Sequence, residues 1–351
     1  MISTFEIAKL WDEVNERIIL DVRTPAEFEK GHIPNALNLP LFSNEERAIV
    51  GTLYKHVGPE KALLQGLDFV GDKMVSFVEK ATELAFKKKV TVHCWRGGKR
   101  SSSMAWLLDL AGFDVKVLHG GYKAYKRHIQ SQNRIQNFNF IVLGGKTGSG
   151  KTHILKALKA IGEQVIDLEN LANHKGSAFG WIGEDAQPST EQFENDLFDQ
   201  LLKLDADKRI WLENESRNIG SVNMPEVFWA KMKNSIVINI EIPFVERIQI
   251  LVDEYSKSPK EELRTSFNKI KKRLGRQNLK EAEKALDEND FHKAAETALK
   301  YYDKSYQYLL ENNKAPEIHM LSFDVFDPHE NANTLIEFHN SISTNLSKIN
   351  I

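Results

Sequence analysis

The sequence predicts an α/β protein with two parallel-sheet domains, the second of which carries a helical extension. In both halves of the chain, short apolar runs typical of buried strands alternate with stretches whose apolar residues recur at helical spacing. At 351 residues, the chain is long for one average domain and suits two. From residue 244 to about residue 312 the pattern becomes largely helical and highly charged, which predicts the extension.

The first domain is predicted to span residues 1–130. Its expected strands are 17–22, 89–93 and 115–118, and its expected helices include 69–86 and 101–111. Because parallel strands need long crossover connections, strands that alternate with helices predict a parallel sheet covered on both faces. The polar segment 131–137 predicts a linker.

The second domain is predicted to span residues 138–351. Its expected strands are 138–143, 164–167, 209–212 and 235–240. The first of these strands leads directly into a glycine-rich turn that is followed by a helical pattern. This order of strand, turn and helix is the context in which glycine-rich loops bind phosphate groups.

The composition excludes several classes of protein. Apolar residues make up 41% of the chain and charged residues 27%, with a formal net charge of −2, which is typical of a soluble globular protein. No apolar run approaches the ~20 residues that span a membrane, and no signal-peptide pattern is visible. Cys94 is the single cysteine, so an intrachain disulfide and a zinc cluster of several cysteines are excluded. We therefore predict a cytoplasmic protein with no membrane partner.

Cys94 lies on the predicted turn between a strand and a helix, where open parallel sheets bind ligands. The same turn contains two glycines and three cations, which are Arg96, Gly97, Gly98, Lys99 and Arg100. Inward-pointing N–H groups, the helix dipole and the cations would each favour a thiolate over a thiol. We predict that Cys94 is catalytic and that its neighbours form a chalcogen-binding loop. The alternative is a buried, inert cysteine beside a solvated basic turn.

Residues 145–152 match the phosphate-loop pattern G-x-x-x-x-G-K-[ST]. The predicted phosphate-binding residues are Gly145, Gly148, Gly150, Lys151 and Thr152. The glycines let N–H groups surround phosphate oxygens, Lys151 adds a positive charge, and the Thr152 hydroxyl could reach a Mg²⁺ ion. The pattern predicts no definite metal site. It leaves the ligand open as well, because a nucleotide and an organic diphosphate present the same oxygens.

Acidic residues follow two further strands, at the edge of the sheet where the phosphate loop is expected. Asp167 ends one strand, and Glu213 and Glu215 follow another. Such acids often bind a magnesium-bound water or act as a base. Two readings of Glu213 and Glu215 are open, since they could also be solvated loop acids or pair with Arg217. No aspartate of the usual Walker B form is present, which makes an ordinary ATPase less convincing.

Two basic segments suggest a polyanion partner such as RNA. The window from residue 87 to residue 134 has 11 basic residues and two acidic ones. The second segment contains Arg264, Lys269, Lys271, Lys272, Arg273, Arg276, Lys280 and Lys284. The alternative for both segments is an ordinary solvated surface. Tyr301 and Tyr302 could stack on bases, although core packing is expected for at least one of them.

The motifs around Cys94 resemble the rhodanese family. They are residues 21–28 (DVRTPAEF), 31–40 (GHIPNALNLP) and 118–122 (LHGGY). The resemblance covers roughly residues 1–130 and implies a rhodanese fold, in which the loop cysteine carries sulfur as a persulfide or the selenium equivalent. We expect Arg23 to pair with a carboxylate rather than to act in catalysis. Trp95 departs from a common single-domain pattern, as do residues 97–101.

Sequence motifs in both halves of the chain resemble those of the tRNA 2-selenouridine synthase family. They are residues 94–101 (CWRGGKRS), 144–152 (GGKTGSGKT), 167–180 (DLENLANHKGSAFG) and 213–220 (ENESRNIG). The resemblance spans nearly the whole chain. Asn170 and Lys175 differ from the glycine and arginine expected at those family positions, which is a mild departure.

This second resemblance implies a two-step transferase acting on wobble 2-thiouridine in the tRNAs for lysine, glutamate and glutamine. The sulfur is geranylated from geranyl diphosphate, and selenium from selenophosphate then replaces the geranylated sulfur. Both compounds are co-substrates, no tightly bound cofactor is implied, and an enzyme that supplies selenophosphate is a candidate partner. Cys94 would either carry selenium or assist its delivery.

Two other functions remain compatible with the motifs. One is a sulfurtransferase whose second domain is an ATPase that activates an acceptor. The other is a non-catalytic RNA-binding or regulatory protein, against which the intact Cys94 loop and phosphate loop both speak. The sequence does not determine the oligomeric state.

Overall fold

A computed structural model describes residues 2–13, 16–131, 133–311 and 315–349 of the chain. The chain divides into two compact units. Unit 1 comprises Met1–Gln132 and Glu194–Asp199, and unit 2 comprises Asn133–Phe193 and Gln200–Ile351. Both contain a parallel sheet with helices, which confirms the predicted fold class.

Unit 1 is built on a five-stranded parallel sheet. In chain order, its strands are β1 (Ser3–Phe5), β2 (Ile18–Asp21), β3 (Leu37–Asn38), β4 (Lys89–His93) and β5 (Asp114–Leu118). Their spatial order is β1-β5-β4-β2-β3. The cysteine loop therefore follows the central strand, β4, where neighbouring strands lie on both sides.

The helices of unit 1 connect these strands. They are α1 (Leu10–Glu13), α2 (Pro25–Lys30), α3 (Asn44–His56), α4 (Pro59–Gly71), α5 (Met74–Leu84), α6 (Lys99–Leu110) and α7 (Gly121–Gln130), with a 3₁₀-helix at Ile7–Lys9. The prediction of one helix over 69–86 is wrong, because that segment contains the end of α4 and all of α5. Gly71 and Asp72 have low helix propensity, and they mark the break.

Unit 2 contains a second five-stranded parallel sheet. In chain order, the strands of this unit are β6 (Asn139–Gly145), β7 (Gln164–Ile166), β8 (Arg209–Glu213), β9 (Asn218–Ile219), β10 (Val222–Asn223), β11 (Ile236–Glu241) and β12 (Ile318–Ser322). The parallel sheet has the order β12-β11-β6-β8-β7, and β9 pairs with β10 in an antiparallel ribbon. The strand that leads into the phosphate loop, β6, is again central.

The helices of the second half include the predicted helical extension. They are α8 (Lys151–Ala160), α9 (Leu168–Ala172), α10 (Thr190–Leu202), α11 (Glu226–Lys233), α12 (Phe244–Tyr255), α13 (Lys260–Leu274), α14 (Arg276–Asp287), α15 (Phe291–Glu311) and α16 (Pro328–Ile349). Residues of α13, α14 and α15 share an apolar core with Phe179 and Ile182. The segment after α9 is thereby anchored in the extension.

The predicted linker 131–137 contains a 3₁₀-helix at Asn133–Asn137. Ile135 within it is buried, although its neighbours in sequence are polar. Residue 132 lies outside the described residues. In the part of the chain that the structure describes, no helix is long and apolar enough to cross a membrane.

Candidate functional site

The cysteine loop, residues 94–98, connects β4 to α6. Cys94 is buried, and its sulfur lies 3.3 Å from the Ser101 hydroxyl oxygen. The same hydroxyl donates to the carbonyl oxygen of Gly98 at 2.9 Å. Because its proton can turn to either partner, Ser101 can donate to a thiolate at Cys94 when one forms.

The surroundings of Cys94 lower the pKa of its thiol below the ordinary value. Burial raises this pKa, but the Ser101 hydroxyl and the N–H groups of Arg96 and Ser101 lower it by more. The positive charge of Arg100 adds a contribution of the same sign. Hydrogen-bond donors and cations thus favour the thiolate, which is the nucleophilic form of cysteine.

The start of α7 holds the cysteine loop from its other side. Tyr122 donates its backbone N–H to the carbonyl oxygen of Cys94, and Lys123 donates to that of Trp95, each at 2.9 Å. Gly121 has a φ of +57°, and a Cβ atom there would collide with the Cys94 carbonyl oxygen. Only glycine permits this close approach. The rhodanese-like motif at residues 118–122 therefore supports the cysteine loop.

The two predicted glycines of the loop have different roles. Gly97 turns the chain with a left-handed φ of +68°. Gly98 precedes α6 as its N-cap, and its carbonyl oxygen accepts hydrogen bonds from the hydroxyls of Ser101 and Ser102. One glycine therefore shapes the turn, and the other orients the hydroxyl that reaches the sulfur.

The three predicted cations of the loop differ in their partners. Arg100 forms a two-point ion pair with Glu27, at 2.6 and 3.2 Å, so part of its charge is compensated. Arg96 and Lys99 are exposed, and neither has an acidic partner among the described residues. The positive charge that faces solvent at this loop therefore comes mainly from Arg96 and Lys99.

A buried polar cluster lies where β2 and β4 end side by side. Arg23 donates to Asp21 at 2.5 Å and to the carbonyl oxygen of Gly31 at 2.7 Å, which confirms that Arg23 pairs with a carboxylate. His93 is buried 3.8 Å from Asp21. Burial lowers the pKa of His93, so its ring is held neutral. These contacts fix the strand ends, as expected for residues outside the catalytic set.

The phosphate loop has the predicted order, with β6 ending at Gly145 and α8 beginning at Lys151. The Lys151 ammonium donates to the carbonyl oxygen of Gly145 at 2.9 Å, and the Thr152 hydroxyl donates to Glu169 at 3.0 Å. The Ser149 hydroxyl is buried and has no hydrogen-bond partner among the described residues. Because an unpaired buried hydroxyl costs free energy, this loop is suited to a polar ligand.

Two contacts fix the shape of the phosphate loop. Gly150 has a φ of +70°, and the ring of Phe326 packs where its Cβ atom would be. On the other side, the buried guanidinium of Arg247 donates twice to the carbonyl oxygen of Thr147, at 2.9 and 2.7 Å. Asp303 pairs with Arg247 at 2.6 Å. Neither Arg247 nor Phe326 was predicted, since no local pattern distinguishes them.

The acids near the phosphate loop have separate roles. Asp167 caps α9 by accepting from the N–H of Asn170 at 2.8 Å. Glu213 is fully buried and accepts from the N–H of Leu168 at 3.0 Å. Glu169, which no sequence pattern singled out, is the acid that contacts Thr152.

Arg217 does not pair with the predicted acids. It forms an ion pair with Glu226 at 2.6 Å. Since Glu213 is buried and Glu215 is half-buried, the reading of both as solvated acids or as partners of Arg217 is wrong.

Burial is the main cause that raises the pKa values of the glutamates in this cluster. Burial, followed by the charge of Glu215, raises the pKa of Glu169 to about 7. Burial also raises the pKa of Glu213 and that of Glu215 above the usual range. Lys151 opposes the rise at Glu169 and Glu215. The cluster therefore retains protons at pH values where exposed glutamates have lost them.

The segment after α9 covers this acidic cluster. Gly176 packs so closely on Glu215 that a Cβ atom there would lie 2.6 Å from its carboxylate. Lys175 pairs with Glu184 at 3.1 Å and with Glu254 of α12 at 3.0 Å. His174 is buried, which lowers the pKa of its ring. Lys175 thus acts in an ion-pair network.

The basic residues of the helical segment cluster around the turn between α13 and α14. Arg264 pairs with Asp287, and Lys284 lies 3.7 Å from Glu288. The remaining six predicted cations have no acidic partner among the described residues, and they are Lys269, Lys271, Lys272, Arg273, Arg276 and Lys280.

The two tyrosines near this segment pack in the core of the extension. The Tyr302 hydroxyl accepts from the N–H of Ala178 at 3.2 Å, and its ring lies 4.9 Å from that of Tyr301. Packing therefore explains both tyrosines.

No all-protein metal site is formed by the described residues, in which no group of three or more His, Cys, Asp or Glu side chains could hold an ion. Mg²⁺ in phosphate-binding sites is usually held by one or two protein oxygens together with phosphate oxygens. Thr152 and the neighbouring carboxylate of Glu169 fit that smaller requirement.

Comparisons with known proteins match both halves of the chain. Residues 138–322 match a family described as the tRNA 2-selenouridine synthase AAA domain, and residues 6–128 match the rhodanese-like domain. Three curated relatives are named tRNA 2-selenouridine synthase. The Sulfurovum sp. protein is 34% identical over 335 residues, which is 86% of this chain and 90% of the relative. The Bdellovibrio bacteriovorus protein is 38% identical over 309 residues, or 83% and 74%. The Hydrogenovibrio crunogenus protein is 35% identical over 346 residues, or 85% and 92%.

The hydroxyl of Ser101 is expected to determine how easily Cys94 ionises. Ser101→Ala removes a donor to the sulfur, so the pKa of the Cys94 thiol should rise. The rate of alkylation by iodoacetamide, measured against pH, should therefore reach its midpoint at a higher pH. Ser102→Ala is the matched control, because the Ser102 hydroxyl contacts Gly98 and not the sulfur. An unchanged midpoint in Ser101→Ala would show that the hydroxyl does not stabilise the thiolate.

Because the pKa of Glu169 is raised, replacing this residue by a neutral one should stabilise the protein by an amount that depends on pH. The folded-state pKa of about 7 lies above the ordinary 4.5, so the folded protein loses stability as pH rises between these values. The effect of Glu169→Gln on the free energy of unfolding should therefore be more stabilising at pH 8 than at pH 5, by roughly 1–3 kcal/mol. Denaturant unfolding at the two pH values measures this difference.

Glu163→Gln provides a contrast for that measurement. A hydrogen bond from Arg209 lowers the pKa of Glu163, so the stability it contributes is lost only on acidification below its usual pKa. Its substitution should cost a similar free energy at pH 5 and at pH 8. Equal pH dependence in the two variants would contradict the assignment of a near-neutral carboxyl to Glu169.

Proposed function

The chain belongs to the tRNA 2-selenouridine synthase family, and we propose that it is a transferase that converts 2-thiouridine at the tRNA wobble position to 2-selenouridine. The conversion proceeds in two steps, geranylation of the sulfur and its replacement by selenium. Geranyl diphosphate and selenophosphate are the co-substrates. The tRNAs for lysine, glutamate and glutamine are the proposed acceptors, and the cytoplasm is the proposed compartment.

The observation that carries this proposal is the presence, in one chain, of two anion sites with different chemistry. One surrounds a cysteine whose pKa is lowered by donors and a cation. The other is a phosphate loop with a buried, unpaired hydroxyl at Ser149 and an ammonium at Lys151. A reaction that uses a chalcogen donor and a diphosphate ester requires both kinds of site.

In the first step, the thiocarbonyl sulfur attacks C1 of geranyl diphosphate. The C1–O bond breaks, pyrophosphate leaves with the bonding electrons, and the proton on N3 of the base is released. Negative charge increases on the departing diphosphate. Lys151 and the N-terminus of α8 are the groups suited to stabilise that charge.

The second step uses the S-geranyl group as a leaving group. Selenium of selenophosphate attacks C2 of the alkylated base, the C2–S bond breaks, and geranylthiol departs after taking up a proton. Water cleaves the remaining Se–P bond and releases phosphate. Transfer of this selenium to a thiol as a perselenide would need an oxidant, so we propose that Cys94 assists its delivery. The N–H donors and cations that stabilise its thiolate are also suited to hold the anionic selenium donor.

The cations at the α13–α14 turn suit the RNA substrate. They are exposed apart from the packing of Lys269 on Trp181, and none is neutralised by an acid among the described residues. A phosphate backbone binds such a surface through counterion release and without reading sequence. The surface therefore supports binding of a polyanion of the size of tRNA.

Lys151→Ala should separate the two steps. Loss of a cation that stabilises the leaving diphosphate commonly costs about 100- to 1,000-fold in rate, so geranylation should fall by that factor. Selenation of tRNA supplied already geranylated should change little, because that step has no diphosphate leaving group. The measurement is mass spectrometry of the wobble nucleoside with each substrate, and Lys156→Ala, an exposed lysine of the same helix, is the control.

Cys94→Ala is the reciprocal variant and should abolish selenation while sparing geranylation. Equal losses of both steps in Lys151→Ala would indicate that selenophosphate also uses the phosphate loop. Unchanged geranylation together with lost ATP hydrolysis would contradict the proposal and support an ATP-dependent sulfurtransferase.

Binding of tRNA should weaken steeply with salt, and the α13–α14 turn should account for part of the slope. Each phosphate contact contributes about 0.7–0.9 to the slope of log binding constant against log salt concentration. The double variant Lys272→Gln/Arg273→Gln should lower the slope by up to about two such contributions. Lys284→Gln is the control, because this lysine already faces Glu288. A slope that is the same in all three proteins would remove this turn from the RNA-binding surface.

A further inference from the structure

Trp95 is an exposed aromatic residue in the turn that holds the catalytic cysteine. Trp95 is 37% exposed, whereas Cys94 beside it is only 4% exposed. The other exposed residues of the turn are Arg96, Gly98 and Lys99. A substrate that approaches the cysteine from solvent therefore meets an indole and two cations.

The backbone of Trp95 is held in place. Its carbonyl oxygen accepts from the N–H of Lys123 at 2.9 Å, and the preceding carbonyl, that of Cys94, accepts from Tyr122 at the same distance. Both donors belong to the first turn of α7. An indole on such a backbone loses little conformational freedom when it binds a ligand.

One side of the indole is supported by packing. The ring centroids of Trp95 and Tyr122 lie 5.7 Å apart at an angle of 45°, and Tyr122 is fully buried. The Arg23 guanidinium packs 3.9 Å from the centre of the Tyr122 ring. The buried tyrosine thus provides a firm support, and the exposed part of the indole remains available to a ligand.

The charges around the indole indicate what that ligand is. Arg96, Lys99 and Lys123 are exposed and have no acidic partner among the described residues. A hydrocarbon chain gains nothing from three cations, whereas a nucleobase joined to phosphates gains both stacking and charge neutralisation. Aromatic side chains flanked by cations are a common arrangement for unstacked RNA bases.

We propose that Trp95 is the stacking platform for the pyrimidine base that reacts at Cys94. The inference rests on the proposed function, in that it takes an RNA base as the substrate of this site. It assigns to Trp95 the binding of the base and to the neighbouring cations the binding of its flanking phosphates. Trp95 thereby selects single-stranded RNA in which the reacting base is free to leave its stack.

The test compares two short RNA stem-loops that differ at one loop position. One carries 2-thiouridine and the other an abasic site, so that the phosphates are the same in both. Trp95→Ala should weaken binding of the 2-thiouridine RNA by about 5- to 150-fold, the usual effect of losing one base–aromatic stack. Binding of the abasic RNA should be unchanged, and Trp95→Phe should retain most of the preference for the base. Fluorescence anisotropy of end-labelled RNA gives each dissociation constant.

Trp106→Ala is the matched control, because Trp106 lies on α6 of the same unit and is 55% exposed. It should bind both RNAs as the wild type does. Alkylation of Cys94 at a wild-type rate in Trp95→Ala will show that the loop is intact.

Three results would overturn the inference. In the first, Trp95→Ala binds both RNAs as the wild type does. In the second, it loses affinity for both RNAs equally, which would indicate a purely structural role. In the third, the wild type itself binds the two RNAs equally, which leaves the proposed function in place. A wild-type protein that binds neither RNA would overturn the proposed function, and this inference with it.

Discussion

The geometry of the cysteine loop depends on two hydrogen bonds from the first turn of α7, which hold the carbonyl oxygens of Cys94 and Trp95. Because α7 holds these carbonyl groups, the N–H groups of the turn are free to face the sulfur. The N–H group of Arg96 is one of them, and it lowers the pKa of Cys94. The same two bonds fix the indole at the surface. All of this requires Gly121, since a side chain there would push the two segments apart. A motif 24 residues or more from the cysteine in sequence thus determines its chemistry.

The phosphate loop has a different constraint, which is an excess of negative charge near the ammonium of Lys151. Glu169 and Glu215 both interact with Lys151, and burial makes their ionisation costly. Because its pKa is raised to about 7, Glu169 retains a proton at pH values where an exposed glutamate has lost it. Every proton that is retained reduces repulsion against an anionic ligand. The cluster is therefore compatible with a diphosphate even though its formal charge is unfavourable.

Short-range patterns predicted much of the fold and both loops. The central strands were visible as apolar runs, and the cysteine and phosphate loops were visible because their residues are contiguous. Glu169 was missed because its role depends on contact with Thr152, 17 positions away. Asp167, the strand-end acid, was a better match to the pattern, yet its carboxylate caps α9. The edge strand β12 was also missed, because its polar and half-exposed residues do not form an apolar run.

The cysteine loop and the phosphate loop occupy the same position in their sheets but have opposite electrostatic surroundings. Each follows a central parallel strand and precedes a helix N-terminus, which favours negative charge in both places. Around Cys94 the neighbours are donors and a cation, so the pKa of the protein's own acid falls and negative charge resides on the sulfur. Around Lys151 the neighbours are acids whose pKa values are raised chiefly by burial, so the protein's own negative charge is suppressed. The first loop is thus suited to supply an anionic nucleophile, and the second is suited to receive an anion from solution.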